Sequence, residues 1–213
     1  MMITNKLNNI LVLAPHTDDG ELGAGGAISY FLGKKAKVYY AAFSTAKESV
    51  PRGMPKDILK TEVRNATQKL GIEEKNLLIY DYQVRKLNYF RQEILEDLIK
   101  LRNKIHFDLV LMPSLNDIHQ DHITVSQEGL RAFKTSSILG YELIWNNLTF
   151  NTTCFIRLEE HHLKNKINAL KAYKSQKDRD YVSAEFITSL ARARGVQIGA
   201  EYAEAFEVIR WVI

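Results

Sequence analysis

Asn9-Ile10-Leu11-Val12-Leu13-Ala14-Pro15-His16-Thr17-Asp18-Asp19 decides the fold, because an unbroken apolar run stops at a proline and gives way at once to imidazole and carboxylate groups. A continuous apolar run, rather than an alternating one, is the pattern of a strand buried on both faces in a parallel sheet. Strand one is therefore expected over 9–14. Apolar positions Leu22, Ala27, Ile28, Phe31 and Leu32 then recur at helical spacing over 22–33, and 37–43 reads as a second apolar strand. The chain begins β-α-β.

The same alternation continues outward. Helices are expected over 55–70, closed by Gly71, over 90–103 and from His122 to about 133, with strands over 77–80 and 107–112. Shorter β-rich pieces near 141–145 and 152–158, helices over 159–173 and 183–194, and a last strand over 205–212 complete the pattern. Strands alternating with helices imply right-handed crossovers and a sheet covered on both faces. The expectation is a Rossmann-like three-layer α/β/α fold with a mostly parallel sheet, one domain over 1–213, with no Pro/Gly/Ser-rich linker, repeat or low-complexity tract.

The chain has 213 residues, enough to bury a core without disulfides, and its one cysteine, Cys154, has no thiol partner for a bridge or a thiolate metal site. Any metal must then sit on His, Asp or Glu. The early apolar stretch 10–15 is too short to span a bilayer or to serve as a secretion signal, so a cytoplasmic protein without membrane insertion is expected. The formal charge of +4 comes from lysines such as Lys164, Lys166, Lys171 and Lys174, read as a solvated surface. No basic run interleaved with aromatics points to nucleic acid.

Two clusters carry the chemistry: His16-Thr17-Asp18-Asp19, and Asp117-Ile118-His119-Gln120-Asp121-His122 about a hundred residues on. Both follow expected parallel strands, and the carboxyl edge of such a sheet is where ligands bind. Catalytic zinc takes three protein ligands and leaves a position for water. Turn spacing assigns His16, Asp19 and His122 as ligands and leaves Asp18 free as general base; His119 would stabilise the oxyanion or act as acid. Asp117 and Asp121 would orient the imidazoles. Metal assistance is favoured by magnitude: lowering the pKa of water from about 15.7 to about 7 removes roughly 12 kcal/mol from the cost of hydroxide. Gly23-Ala24-Gly25-Gly26 is not a dinucleotide fingerprint, since three acids stand where a pyrophosphate needs positive potential; these glycines are read as permitting close helix-to-sheet packing.

The stretch from Ala14 through Gly26, followed by the 117–122 cluster, closely resembles the PIG-L/LmbE-like family of zinc-dependent N-deacetylases. Further echoes are Glu62 with Leu70-Gly71, Arg194-Gly195-Val196-Gln197-Ile198-Gly199, and Tyr202-Ala203-Glu204-Ala205-Phe206. The resemblance implies hydrolysis of the acetamide of an N-acetylglucosamine-type sugar, with His16, Asp19 and His122 as ligands of Zn2+ or another divalent transition metal, Asp18 as base and His119 on the oxyanion. Thr17 stands where the common loop has proline and Gly20 where it has glutamate, with Glu21 one place later, either supporting the site or contacting substrate, or serving as a first-turn acid that favours the helix dipole. The arginine many members carry before the second-helix glutamate is absent, and Arg52 or Lys60 is the expected substitute as substrate contact. Other readings are a non-catalytic sugar-binding relative and a hydrolase of a different bond. The expected partner is a small N-acetylated sugar. Tyr89, Phe90, Tyr181 and Phe186 are open between core and a homo-oligomer interface. Tyr202 and Glu204 are read as framework before cleft.

Overall fold

A computed structural model describes residues 7–213. Seven strands, β1 (Asn9–His16), β2 (Lys37–Ser44), β3 (Leu77–Ile79), β4 (Leu109–Pro113), β5 (Ser137–Tyr141), β6 (Cys154–Leu158) and β7 (Tyr202–Arg210), build one sheet in the order β3-β2-β1-β4-β5-β7-β6. The first five strands are parallel to one another, and at one edge β7 runs antiparallel to both of its neighbours, β5 and β6. Six α-helices, α1 (Asp19–Gly33), α2 (Ile58–Leu70), α3 (Arg91–Lys104), α4 (Gln120–Ala132), α5 (Glu160–Leu170) and α6 (Ala184–Val196), cover both faces. This is the three-layer α/β fold with a mostly parallel sheet that the strand pattern implies.

β1 is buried on both faces, as its unbroken apolar run requires. Ile10, Val12 and Ala14 point into the core beneath α1, α2, α5 and α6, whereas Leu11 and Leu13 point into the core beneath α3 and α4. Each such aliphatic side chain stabilises by about 1.5–3 kcal/mol when fully buried. α1 carries the chain from β1 to β2 on one side of β1, and β4 pairs with β1 on the other. The strand order thus reverses between β1 and β4, and a crevice opens beyond their carboxyl ends.

The glycine cluster lets α1 lie close to the sheet. A Cβ on Gly23 would stand 2.2 Å from Cδ2 of Tyr141, and one on Gly26 would stand 2.5 Å from Cδ1 of Leu158. α1 is also broken at Ala24, where φ is −142°. The break frees backbone N–H groups, which the buried Glu204 carboxylate accepts from Gly26 (2.9 Å) and Ala27 (2.7 Å). Lys166 pairs with the same carboxylate at 2.7 Å and donates to the Leu22 carbonyl at 2.7 Å. Lys166 is therefore not a surface lysine: it is 5% exposed, because the carboxylate that caps the broken helix needs a counter-charge.

Several boundaries differ from expectation. α1 starts at Asp19 and α4 at Gln120, so Asp121 and His122 lie in the first turn of α4 rather than ahead of it. The cause is an unusual N-cap: Nδ1 of His119 accepts the Asp121 N–H at 3.1 Å, a role sequence patterns assign to Ser, Thr, Asp or Asn. β5 ends at Tyr141, and the apolar residues after it, Ile144 and Trp145, are exposed on a loop. Gly71 closes α2 as expected, at φ 99°. No helix among the described residues is long and apolar enough to cross a membrane.

Candidate functional site

His16 ends β1, Asp18 and Asp19 open α1, and His119 to His122 begin α4 beyond β4, so both clusters meet at the reversal of strand order. Asp19 is the hinge of the arrangement. Its Oδ2 accepts the His16 backbone N–H at 2.8 Å and lies 3.1 Å from His16 Nδ1 and 3.2 Å from His122 Nε2. Those two ring nitrogens are 3.3 Å apart. Three donors at about 2.0–2.2 Å from one tetrahedral or octahedral ion stand about 3–3.6 Å from each other, so this triangle has the edges of a metal face.

The imidazoles are held from behind. Asp121 Oδ2 meets His16 Nε2 at 2.9 Å, and Asp117 Oδ2 meets His122 Nδ1 at 2.7 Å, which leaves the opposite nitrogen of each ring aimed at Asp19. Asp121 is itself fixed by backbone N–H groups of Arg85 (2.6 Å) and Leu87 (3.2 Å). His119 also lies near, in a group with His16 and His122 whose donor atoms fall within 4.8 Å of one another. That group is looser than the triangle through Asp19, and the Nδ1 of His119 is already engaged by the Asp121 N–H. We therefore favour Asp19 over His119 as the third donor.

Electrostatics point the same way. Burial disfavours charge on His16, yet Asp19 and Asp121 outweigh it and push the imidazole up to about 10. Burial acts likewise on His122, where Asp19 and Asp117 raise it to about 9. Asp19, despite burial, is held well below the usual carboxylate range by His122 and His16. The carboxylates demand positive charge, and a divalent cation would displace the imidazole protons that otherwise meet it. The donor set therefore fits a metal ion.

Asp18 differs from its neighbour. It caps α1 without a side-chain hydrogen bond, and burial followed by the Asp19 charge pushes its carboxyl up to about 6. It lines, with His16, Asp19, His119 and His122, a cavity of about 310 Å³. His119 is pushed down to about 4 by burial and then by His122 and His16, so it is neutral near pH 7. Because its Nδ1 accepts a backbone N–H, the proton of the neutral ring belongs on Nε2.

The remaining expected contacts fall elsewhere. Glu21 is buried behind the loop, bonded to the Tyr40 hydroxyl and, at 3.0 Å, to that of Tyr173; burial pushes it up to about 8. It braces rather than lines the cavity. Arg52 lines a separate depression with Pro51 and Met54, and Lys60 is exposed on α2; neither is among the residues lining the cavity that holds Asp18 and His119. Glu62 bonds the backbone N–H (3.0 Å) and hydroxyl (2.5 Å) of Ser175, anchoring the turn that leads to Gln176 and Arg179.

The cavity cations are instead Arg85 and Arg179, beside Trp145 and Tyr181. The two rings stack with centroids 4.1 Å apart and 15° between planes. Arg85 adopts φ 64° and Ala46 φ 45°; both line the cavity, and left-handed backbone costs a non-glycine residue on the order of 1 kcal/mol. The Thr17 hydroxyl is buried with no partner among the described residues.

A mostly parallel α/β sheet with an acidic and imidazole-rich crevice at its switch point defines an α/β protein whose site is built from loops after β1 and β4. The family model PIG-L, described as GlcNAc-PI de-N-acetylase, matches residues 11–133, and the chain belongs to that family. Among solved structures, N,N'-diacetylchitobiose deacetylase from Pyrococcus horikoshii is similar with a TM-score of 0.82 at 20% identity, over 96% of this chain and 84% of that one. The zinc-inhibited form of teicoplanin deacetylase Orf2 gives 0.77 at 13%, over 93% and 97%. GalB, the 4-carboxy-2-hydroxymuconate hydratase from Pseudomonas putida KT2440, gives 0.77 at 16%, over 97% and 98%. At these identities the likeness is one of fold, and a fold shared by deacetylases and a hydratase leaves the reaction to the site.

Proposed function

We propose that this chain is a metal-dependent N-deacetylase acting on an N-acetylglucosamine-type sugar or its conjugate and releasing acetate. The observation that carries the reading is the donor triangle of His16 Nδ1, Asp19 Oδ2 and His122 Nε2, with edges of 3.1–3.3 Å, opening on a cavity that also holds Asp18 and His119. Membership in a family described as GlcNAc-PI de-N-acetylase supports the bond, and the deacetylase relatives support an acetylated sugar.

His16, Asp19 and His122 would hold Zn2+ or another divalent transition metal, which when bound supplies Lewis acidity toward water and the acetyl oxygen. The protein's own groups do the rest. Asp18, poised near neutrality, takes a proton from the water that attacks the acetyl carbon. The Nε2–H of neutral His119 donates to the carbonyl oxygen as it gains charge; one such donor is worth about 10²–10³ in rate. Asp18 then returns the proton to the amide nitrogen as the C–N bond breaks, leaving acetate and a free amine. Asp117 and Asp121 keep both ligand imidazoles in one tautomer throughout.

The test is acetate and amine release from N-acetylated monosaccharides, nucleotide-linked sugars and chitooligosaccharides by metal-loaded protein. Equimolar acetate and primary amine from at least one sugar class is the expected result. Hydration of an enol or diene acid, with no amide cleaved anywhere in the panel, would replace this reading with a hydratase.

A further inference from the structure

A cluster of polar groups lies behind the cavity and takes no part in the hydrolysis above. Glu21 on α1, Tyr40 on β2 and Tyr173 in the turn after α5 are buried, and none of them lines the cavity. Each phenol hydroxyl reaches two oxygens. Tyr40 meets the Thr17 carbonyl at 2.9 Å and one oxygen of Glu21; Tyr173 meets the same carbonyl at 2.6 Å and the other oxygen of Glu21 at 3.0 Å. The Tyr40 hydroxyl also accepts the Gly20 N–H at 3.1 Å.

Burying a carboxyl and two phenols is costly unless their hydrogen bonds are kept, and a leucine with two phenylalanines would fill the same space without that demand. That set would strip the Thr17 carbonyl of both phenol donors. The loop has also made room for one of them: a Cβ at Gly20 would stand 2.6 Å from the Tyr40 hydroxyl.

The Thr17 carbonyl belongs to the peptide that enters Asp18, and the carbonyl of Asp18 itself accepts the Leu22 N–H at 3.0 Å. The backbone of Asp18 is thus pinned on both sides. Its side chain has no such hold, since Asp18 opens α1 without a capping bond from its carboxylate. His16, Asp19 and His122 grip one another and are held by Asp117 and Asp121 as well, whereas the Asp18 carboxylate is aimed by its backbone. A turn of the Thr17–Asp18 peptide therefore moves Asp18 before it moves the ligands.

We propose that Glu21 is a positioning residue: with Tyr40 and Tyr173 it clamps the Thr17 carbonyl and thereby holds the Asp18 carboxylate in place over the site. That Asp18 takes a proton from water rests on the deacetylase reading; the clamp on its peptide does not. Placement on this scale is decisive, because a shift of about 1 Å costs on the order of 10²-fold in rate.

The experiment sets Tyr173→Phe, Tyr40→Phe and Glu21→Leu beside Glu21→Gln, all loaded with zinc, and reads kcat and KM on a sugar that wild type cleaves, bound zinc, and the crystal structure. Each phenylalanine keeps the ring and removes one hydroxyl; glutamine keeps an oxygen for one tyrosine and offers an N–H to the other. Tyr173→Phe should lower kcat by about 10- to 100-fold, with KM within about twofold and zinc content as in wild type. Glu21→Leu should do the same, and Glu21→Gln should recover most of the loss. In an Asp18→Asn background the Tyr173→Phe penalty should vanish, because the clamp acts through Asp18. The crystals should show the Asp18 carboxylate displaced by about 1 Å with His16, Asp19 and His122 unmoved. Tyr40→Phe serves if Tyr173→Phe fails to fold.

Wild-type kcat in both phenylalanine variants would overturn the inference, as would zinc lost in step with activity, a penalty undiminished in Asp18→Asn, or a Glu21→Gln no better than Glu21→Leu. If wild type cleaves no sugar, the deacetylase reading falls and the crystals decide alone: a displaced Asp18 carboxylate sustains the clamp, and an unmoved one overturns it.

Discussion

The floor and the rim of the cavity are built on different principles. On the floor two imidazoles are gripped from two sides, His16 by Asp19 and Asp121, His122 by Asp19 and Asp117. These groups stand on the end of a buried strand and the first turns of two helices. On the rim, Arg85, Trp145, Arg179 and Tyr181 come from three separate segments and are exposed or half-buried, with Arg85 bonded to Ser49 and Trp145 stacked on Tyr181. Chemistry that tolerates no misplacement sits on regular structure, and recognition that must differ between relatives sits on loops.

If that division is right, damage to the floor abolishes turnover and damage to the rim changes preference. The largest effect is expected from Asp18→Asn, with kcat down by about 10³-fold or more and metal content unchanged, since a general base is worth about 10²–10⁴. Metal analysis beside the acetate assay checks it; full activity would move Asp18 out of the floor.

His122→Ala should lower bound metal along with activity and should abolish the rise in Tm that added metal gives wild type. Metal content and a metal-dependent thermal shift equal to wild type would remove His122 from the ligand set. Glu204→Ala tests a brace rather than the floor. It strips Lys166 and two backbone N–H groups of their buried partner and should cost about 3–5 kcal/mol in denaturant unfolding. A loss below about 1 kcal/mol would mean the kink in α1 needs no cap.

Trp145→Ala should act least, raising KM by about tenfold with kcat nearly kept, as loss of one stacking aromatic does. A kcat effect as large as that of Asp18→Asn would erase the distinction between floor and rim.

The same distinction governs what the sequence discloses. The floor is legible because its groups fall in two short clusters that each follow an apolar run: Ile10 to Ala14 has the pattern of a buried strand, which places His16 at its carboxyl end. The rim is not. Arg85, Trp145 and Arg179 are far apart in sequence, and no local spacing joins them. The turn at 83–86 carries no glycine to announce itself, and Trp145 continues an apolar run past the true end of β5. Lys166 was equally unreadable, because its partner, Glu204, is 38 residues away and the kink that requires both arises only when α1 packs on the sheet. The start of α4 was hidden by a histidine doing the work of a serine.

Anomalous scattering from crystals of the metal-loaded protein shows whether one ion sits against three particular atoms. A single strong peak is expected about 2.0–2.2 Å from His16 Nδ1, Asp19 Oδ2 and His122 Nε2, with His119 outside bonding distance. A peak bonded to His119 in place of Asp19, or no peak between His16 and His122 at saturating metal, would contradict it.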